Sequence, residues 1–172
     1  MPKIFTSKIA VVGDQEIGKT SLLLKYSKNT FQENYKPTIG ADFIIKEEKL
    51  ANGDEFHLYL WDLAGHPSFA ILRQYYMHGA NGALVCFDLN NPVTFQSCEN
   101  WLKDVFRIKP QKIPVILVGT KGDMEQKVPQ TDIDAFCKEH GIIYMKTSSK
   151  NGENVKEVFM KMIDLILQQN KA

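Results

Sequence analysis

The clearest chemical pattern in the sequence is GDQEIGKT at residues 13–20, which matches G-x-x-x-x-G-K-[ST]. Gly13 and Gly18 would let the backbone wrap around a phosphate, while loop amides and a helix N-terminus point partial positive charge at it. Lys19 would reach the outer phosphates, and the Thr20 hydroxyl is placed to bind Mg²⁺. Chance produces this pattern in about one chain in a hundred or fewer. It predicts a nucleoside triphosphate site.

A second candidate is WDLAGH at residues 61–66. Asp62 ends an apolar run that predicts a strand beside the first strand, where a carboxylate can hold Mg²⁺, often through water. The D-x-x-G spacing alone is weak, because surface turns share it, but it gains weight one strand downstream of a phosphate loop. His66 has three candidate roles: a catalytic group, a replacement that disables catalysis, or a solvated side chain.

Two later segments, GTKGD (119–123) and TSSK (147–150), follow predicted strands. The Asp123 carboxylate can accept hydrogen bonds from the ring N–H and the exocyclic amine of guanine, a donor pair that adenine lacks. Lys121 can lie along the base, and TSSK can turn backbone N–H groups toward the guanine oxygen. Each segment alone is typical of a polar loop. Their order after the phosphate loop favours GTP over ATP.

The elements that must position these loops are apolar strands alternating with helices. Continuous, β-branched runs are typical of parallel strands buried on both faces; they lie at 7–13, 82–89, 113–119 and, more weakly, 142–148. Apolar residues recur at helical spacing around Trp101 and over 155–166, and a helix after Thr131 should end at Gly141.

One part of the chain departs from this alternation. Segments 41–50 and 55–63 flank Asn52-Gly53-Asp54 and predict an antiparallel hairpin at the sheet edge. The sequence therefore predicts an α/β fold: a mostly parallel six-stranded sheet with one antiparallel edge strand and helices on both faces. Residues 29–40 and 64–78 show no clear period.

The overall composition excludes several classes of function. The formal net charge is +1, from 21 basic and 20 acidic residues, so no strong field attracts nucleic acid or anionic lipid. The cysteines, Cys86, Cys98 and Cys137, form no metal-binding pattern and are expected to be reduced thiols. No signal peptide or run of transmembrane length is present, so we expect a soluble, cytoplasmic chain.

With these motifs in place, the sequence resembles the Ras superfamily of small GTPases over about residues 5–168. GDQEIGKT resembles the phosphate loop, YKPTIG (35–40) the first switch, WDLAGH the second switch, and TKGD and TSSK the base-recognition loops. IGADF (39–43), WDLAG, YYMHGA (75–80) and the helix around Trp101 are most similar to the Rab branch. The resemblance implies a single small-GTPase domain over 1–172 that binds GTP or GDP with Mg²⁺.

The resemblance also implies roles for single residues. Phe31 would pack against the base, Tyr35 would close over the nucleotide, and the Gly65 amide would contact the γ-phosphate. The implied catalytic residues are Lys19, Thr38, Gly65 and His66, and the implied Mg²⁺ ligands are Thr20, Thr38 and Asp62. The implied nucleotide contacts are Gly13, Asp14, Gln15, Glu16, Ile17, Gly18, Lys19, Thr20, Ser21, Phe31, Tyr35, Thr38, Gly65, Thr120, Lys121, Asp123, Ser148, Ser149 and Lys150.

The sequence departs from the family pattern at the catalytic positions. His66 stands where the family has a glutamine that orients the attacking water. Gln15 and Glu16 replace small residues of the phosphate loop, and Gln15 would crowd the catalytic side chain. Thr120 replaces the commoner asparagine, with only modest effect expected on base affinity.

An arginine finger, which contributes a factor of roughly 10³–10⁵ in rate, is not visible. The chain has two arginines, Arg73 and Arg107, and Arg73 aligns with a surface position of the family.

These departures leave alternatives open. A neutral imidazole nitrogen of His66 could accept a hydrogen bond from water and act as a weak substitute, in which case hydrolysis should fall in acid. Alternatively, hydrolysis is very slow and the protein acts as a GTP-bound recruitment module. A solvated His66 beside another water-positioning residue is a third reading, with Glu16 as the candidate. An ATP-using P-loop enzyme is a less favoured alternative, because Asp123 argues against it.

The expected partners also come from the resemblance. Effector proteins would bind the switch segments 35–45 and 61–78 through Phe43, Trp61 and Tyr76, although Trp61 could instead simply pack onto the sheet. An exchange factor and an activating protein are also implied, and the implied setting of the switch is vesicle trafficking or signalling. Membrane attachment would require a lipidated tail, which residues 1–172 do not contain.

Overall fold

A computed structural model describes residues 1–31, 38–108 and 112–171. Its six strands form one sheet in the order β2-β3-β1-β4-β5-β6. The strands are β1 (Ile4–Val12), β2 (Ala41–Lys49), β3 (Glu55–Leu63), β4 (Gly82–Asp88), β5 (Val115–Thr120) and β6 (Ile143–Lys146). The helices are α1 (Lys19–Lys28), α2 (Ala70–Met77), α3 (Pro92–Gln96), α4 (Cys98–Ile108), α5 (Gln130–His140) and α6 (Val155–Lys171), with a 3₁₀ turn at Pro67–Phe69.

The sheet confirms the predicted fold class. Strand β2 pairs antiparallel with β3 at one edge, and the other pairs are parallel. The hairpin turns over Asn52 and Gly53, as the sequence predicted, with Gly53 at a left-handed φ of 90°. Every residue of β4 and β5 is buried, because helices cover both faces of the central strands.

Alternate residues of β1 supply the two cores. Ile9 and Val11 face one core with side chains of α1 and α6. Ala10 and Val12 face the other, which includes side chains of α2, α4 and α5. The period of two along a strand thus places successive side chains in different layers. A polar residue that directly follows such a strand lies beyond its carboxyl end, outside both cores.

Two short helical elements were not predicted. Helix α3 begins with Pro92, and the Asn91 side chain caps it by accepting from the Val93 N–H, a start signal that the sequence carried. Helix α2 lies in the stretch without a clear period. Its apolar side chains do not share one buried face, because Ile71 and Tyr75 are 84% and 74% exposed. Helical periodicity therefore could not reveal it.

The parallel register brings the candidate loops together. Val11 is level with Asp62 across β1 and β3, and Asp88 is level with Thr120 across β4 and β5. The parallel strands end on the same side of the sheet, and α/β proteins bind ligands just beyond these carboxyl ends. None of the helices in the described ranges is long and apolar enough to cross a membrane.

Candidate functional site

A cleft of about 590 Å³ opens at the carboxyl ends of the parallel strands, a volume in the usual range for small-molecule sites. It joins the phosphate loop, the start of the second switch and both predicted base loops. The predicted nucleotide contacts that line it are Gln15, Glu16, Gly18, Lys19, Thr20, Ser21, Phe31, Thr38, Gly65, Thr120, Lys121, Asp123, Ser149 and Lys150. His66, Ala64 and Met124 also line it. Tyr35 lies outside the described residues.

The phosphate loop is organised around the Lys19 ammonium. Lys19 Nζ donates to the carbonyl oxygens of Gly13 at 2.8 Å and Asp14 at 2.6 Å. Burial lowers the pKa of Lys19, and the negative charge of Asp62 opposes that shift. Helix α1 begins after Gly18, which has φ 96°, and carries no side-chain cap. No side chain therefore competes with a ligand for its first N–H groups.

Three oxygen-bearing side chains meet beside Lys19. Asp62 Oδ2 accepts from Thr20 Oγ1 and, at 3.2 Å, from Thr38 Oγ1, and the two hydroxyl oxygens lie 2.8 Å apart. Asp62 Oδ1 is buried without a hydrogen-bond partner in the described part of the chain. Burial raises the pKa of Asp62.

An orphaned buried carboxylate oxygen is costly, and a divalent cation would supply the partner that Asp62 Oδ1 lacks. Hard oxygen donors such as these are the ligands that Mg²⁺ prefers. The residues present therefore fit Mg²⁺. Elsewhere, the described residues contain no cluster of three or more His, Cys, Asp or Glu side chains that could hold a metal, and their cysteines are free thiols.

The base end of the cleft is built around Asp123. Its Oδ1 accepts from Ser148 Oγ at 2.7 Å, and the Gly122 N–H donates to Thr147 O at 2.8 Å, which ties the two loops together. Lys121 has a left-handed φ of 58°. Its ammonium forms a 2.9 Å ion pair with Asp88 and donates to Glu16 O at 3.0 Å. These contacts hold Asp123 and Lys121 in place.

The structure corrects the role assigned to Ser148. Its backbone N–H donates to Glu153 O at 3.1 Å, so it does not point at a base, and its buried hydroxyl supports Asp123. Backbone N–H groups for the guanine oxygen would have to come from Ser149 and Lys150, which line the cleft.

Of the other predicted contacts, Gly13, Asp14 and Ile17 do not line the cleft, and Thr120 lines it while its hydroxyl contacts backbone oxygens. Asp14 turns its carboxylate away from the cleft, since Oδ1 accepts from Trp101 Nε1 at 2.8 Å and Oδ2 from Ser97 Oγ at 2.7 Å. Ile17 is buried in the core. Thr120 Oγ1 lies between the carbonyl oxygens of Ile17 and Phe87 and so links the phosphate loop to β4. A Cβ on Gly13 would collide with Cys86 O.

His66 is an exposed residue that caps the 3₁₀ turn. Its Nδ1 accepts the Ser68 N–H at 3.1 Å and lies 2.7 Å from Ser68 Oγ. A ring nitrogen that accepts carries no proton, so the neutral ring has its proton on Nε2, which is then a donor. The expected acceptor for an attacking water is therefore not available in this arrangement. The reason is local: Pro67 starts the turn, and the ring satisfies the next free N–H.

Arg73 corrects a second expectation. It is buried rather than on the surface, with 6% of its area exposed. Its Nη1 donates to Ala64 O at 2.8 Å and to His66 O at 2.6 Å, and its guanidinium lies 4.7 Å from the centre of the Trp101 ring. No pattern near Arg73 in the sequence marks these contacts, because all of its partners lie seven or more residues away.

The predicted effector residues form a continuous aromatic stack. The Trp61 ring lies between Phe43 at 5.0 Å and Tyr76 at 5.1 Å, and Lys8 Nζ lies 4.9 Å from the Trp61 ring centre. Trp61 is half-buried, so it both packs onto the sheet and contributes surface. Phe43 is 45% exposed.

Comparison with known proteins agrees with this geometry. A sequence profile of the Ras family matches residues 8–168. Ras-related protein RABE1e of Arabidopsis thaliana is 34% identical over 165 residues, which cover 94% of this chain and 75% of that protein. Ras-related proteins RABD2b and RABD2a of the same plant are 36% and 34% identical over 157 residues, covering 90% of this chain and 77% of each relative.

Proposed function

The chain belongs to the Ras family of small GTPases and is Rab-like, and on that premise we propose that it is a GTP-binding molecular switch with a low intrinsic rate of hydrolysis. Nucleotide state would gate the binding of effector proteins, in vesicle trafficking or signalling. We propose that the whole of residues 1–172 serves as one small-GTPase domain.

The observation that carries the proposal is the pairing of two sites in one cleft. At one end, Asp62, Thr20 and Thr38 present oxygens beside the buried Lys19 ammonium. At the other, Asp123 is held by Ser148. A triphosphate with its cation suits the first end, and a base with two adjacent donors suits the second.

The residues would divide the work of phosphoryl transfer. When bound, Mg²⁺ supplies positive charge that neutralises charge developing on the phosphate oxygens. Lys19 Nζ has a third donor beyond the two given to loop carbonyls and would give it to a phosphate oxygen. The Gly65 N–H would bind the γ-phosphate, and Thr38 would report its presence to the first switch.

The low rate is proposed from His66 and Gln15. The attacking water must be oriented by a hydrogen-bond acceptor, and the capped His66 ring offers the Nε2–H donor instead. Gln15 lines the same cleft as His66 and adds bulk to it. The hydrolysis-deficient, GTP-held recruitment module is the alternative, and His66 capping favours it over a histidine that accepts from water.

The base assignment separates this proposal from an ATP-using P-loop enzyme. Because the Ser148 hydroxyl donates to Asp123, the carboxylate is held as an acceptor at the rim of the cleft. Adenine offers no adjacent pair of donors to it. We therefore propose GTP and GDP as the ligands.

The proposed partners are effectors that contact the aromatic stack of Phe43, Trp61 and Tyr76, together with an exchange factor and an activating protein. The near-neutral net charge of +1 gives no reason to include nucleic acid. Peripheral membrane attachment on the cytosolic side would depend on a lipidated segment beyond residue 172.

The test is single-turnover hydrolysis of GTP preloaded onto the protein with Mg²⁺. We expect His66→Gln to raise the rate about tenfold or more, because the glutamine amide oxygen can accept a hydrogen bond from the attacking water and orient it, and Gln15→Gly to raise it further. His78→Gln, the same exchange at an exposed histidine after α2, is the matched control and should leave the rate unchanged.

Two results would contradict the proposal. If the wild type already hydrolyses GTP as fast as His66→Gln, the histidine is no brake and the low rate is wrong. If the purified protein loads neither GTP nor GDP, the assignment of Asp123 is wrong and the switch function goes with it.

A further inference from the structure

The buried arginine of the second switch has no role in the function proposed above. We propose that Arg73 is a positioning residue that fixes the Gly65 peptide for the γ-phosphate and links the second switch to the phosphate loop through Trp101 and Asp14. This inference rests on the proposed function, since it concerns how the same site distinguishes GTP from GDP.

The hydrogen bonds of Arg73 fix the orientation of one peptide plane. Arg73 Nη1 donates to the carbonyl oxygens of Ala64 and His66, the residues on either side of Gly65. The Ala64–Gly65 peptide is trans, so its C=O and N–H point in opposite directions. Holding Ala64 O toward the guanidinium therefore turns the Gly65 N–H away from Arg73.

The same peptide is packed tightly against the phosphate loop. A Cβ placed on Gly65 would collide with the backbone of Gly13, Asp14 and Gln15. A rotation of the 64–65 peptide thus changes the distance between the Gly65 N–H and any phosphate held by that loop. The peptide orientation that Arg73 imposes is a determinant of γ-phosphate contact, with no contact between Arg73 itself and the nucleotide.

The other side of Arg73 leads back to the phosphate loop. The guanidinium lies over the Trp101 ring at 4.7 Å, a distance at which a cation is attracted to the ring face. Trp101 Nε1 donates to Asp14 Oδ1 at 2.8 Å, and Ser97 Oγ donates to Asp14 Oδ2 at 2.7 Å. The contacts thus return to their starting point. Asp14 of the phosphate loop contacts Trp101, Trp101 contacts Arg73, and Arg73 binds residues 64–66, which pack against the phosphate loop.

The charge of Arg73 is retained in this setting. Burial lowers its pKa and Asp104 opposes the shift, but an arginine stays protonated in proteins. The charged guanidinium therefore needs its carbonyl partners, and hydrogen bonds to charged groups are stronger than neutral ones. The 64–66 segment should be held in this arrangement before any nucleotide arrives.

The experiment compares Arg73→Gln with Arg107→Gln. Arg107 is the other arginine of the chain and is exposed on α4, paired only with Asp104 among the described residues, so it is the matched control. For each protein we would measure the dissociation constants of GDP and of a non-hydrolysable GTP analogue, with Mg²⁺, and the midpoint of thermal unfolding.

We expect Arg73→Gln to weaken the GTP analogue relative to GDP by about fivefold or more, the lower end of typical coupling between sites. Arg107→Gln should keep the wild-type ratio of GTP-analogue affinity to GDP affinity. Trp101→Phe keeps a ring under the guanidinium but removes the Nε1–H given to Asp14, so it should lower the ratio by a smaller factor.

An unchanged ratio in Arg73→Gln, with only a lower unfolding midpoint, would overturn the proposal, because a merely structural arginine affects both nucleotides equally. If Arg73→Gln does not fold, Trp101→Phe decides: a wild-type ratio there rejects the link through Asp14. If the wild type binds neither nucleotide, the proposed function itself fails. If the wild type binds both nucleotides and Arg73→Gln keeps the wild-type ratio, only the role of Arg73 is rejected and the proposed function stands.

Discussion

His66 illustrates how one neighbour sets what a side chain can do. In isolation an imidazole offers one donor and one acceptor. Here the acceptor is occupied by the Ser68 N–H, so the nitrogen left for the cleft is a donor. The orientation follows from Pro67, which starts a turn whose first free N–H needs a cap. We infer that the exchange from glutamine changes hydrogen-bond polarity as well as length.

Ser148 acts on the base through Asp123, and this can be measured. We expect Ser148→Ala to weaken GDP binding about tenfold, because a hydrogen bond to a charged group contributes about 1.5–3 kcal/mol. The loss arises from a carboxylate that no longer has a fixed direction. Isothermal titration with GDP and Mg²⁺ gives the two dissociation constants directly.

The control for that measurement is Ser27→Ala. The Ser27 hydroxyl in α1 is buried and has no hydrogen-bond partner in the described part of the chain, so its removal should leave GDP affinity as it is. Equal affinity of Ser148→Ala and wild type would show that Asp123 does not need the serine.

At the scale of elements, α1 is the helix on which the phosphate site depends. It carries Lys19 and Thr20 at its start and packs on α6 through Tyr26, whose ring stacks on Phe159 at a centroid distance of 3.9 Å. Tyr26 also donates to Glu48 Oε1 of β2 at 2.7 Å. These contacts fix the helix behind the site, so that its N-terminus keeps a constant position relative to β1.

The packing of α6 against α1 predicts a large effect on stability. Phe159 is fully buried, so Phe159→Ala should lower the free energy of unfolding by about 3–5 kcal/mol through lost burial and the cavity left behind. Urea denaturation would measure the loss. Lys161→Ala, at an exposed position of the same helix, should change it by less than about 0.5 kcal/mol; a similar loss in both would contradict the packing argument.

The helix of the second switch, α2, leaves part of its apolar surface outside the core. Helix α2 exposes Ile71, Leu72 and Tyr75, and its inner side is held chiefly through Arg73 and Met77, both of which are buried. A helix with so much exposed apolar surface suits a segment that partners cover. This agrees with the proposed effector surface, which continues from Tyr76 onto Trp61 and Phe43.

For the whole molecule, ligand binding and folding are linked, because the cleft draws on loops from across the sheet. GDP with Mg²⁺ at a hundred times its dissociation constant should stabilise the fold by about 2.7 kcal/mol. In a chain of this size that corresponds to a rise of about 5–10 °C in the midpoint of thermal unfolding. Differential scanning fluorimetry would measure it.

Two comparisons make the measurement specific. ADP with Mg²⁺ at the same concentration should give no comparable rise, since adenine cannot satisfy Asp123, and a chelator should reduce the rise seen with GDP, since it leaves the Asp62 oxygens without their cation. Equal stabilisation by ADP and GDP would contradict the base assignment.

The amino-acid sequence by itself determined the sheet and the order of its loops. Continuous apolar runs and turn residues are local signals, so the mostly parallel sheet, the antiparallel hairpin at Asn52-Gly53 and the convergence of the loops of Lys19, Asp62 and Asp123 at the carboxyl ends of the strands followed from them. The fold class is confirmed. Helix α2 was not predicted, because a surface helix that buries few apolar side chains shows no clear helical period in its apolar residues.

Only the tertiary structure decided which groups those loops hold in place. Trp101 and Asp14 are 87 residues apart in sequence, Ser148 and Asp123 are 25 apart, and Arg73 binds carbonyl oxygens seven and nine residues before it. Such contacts have no periodic trace, because they depend on where separate elements meet after packing. The sequence could therefore indicate the cleft, but the burial of Arg73 and the hydrogen-bond polarity of His66 required the folded arrangement.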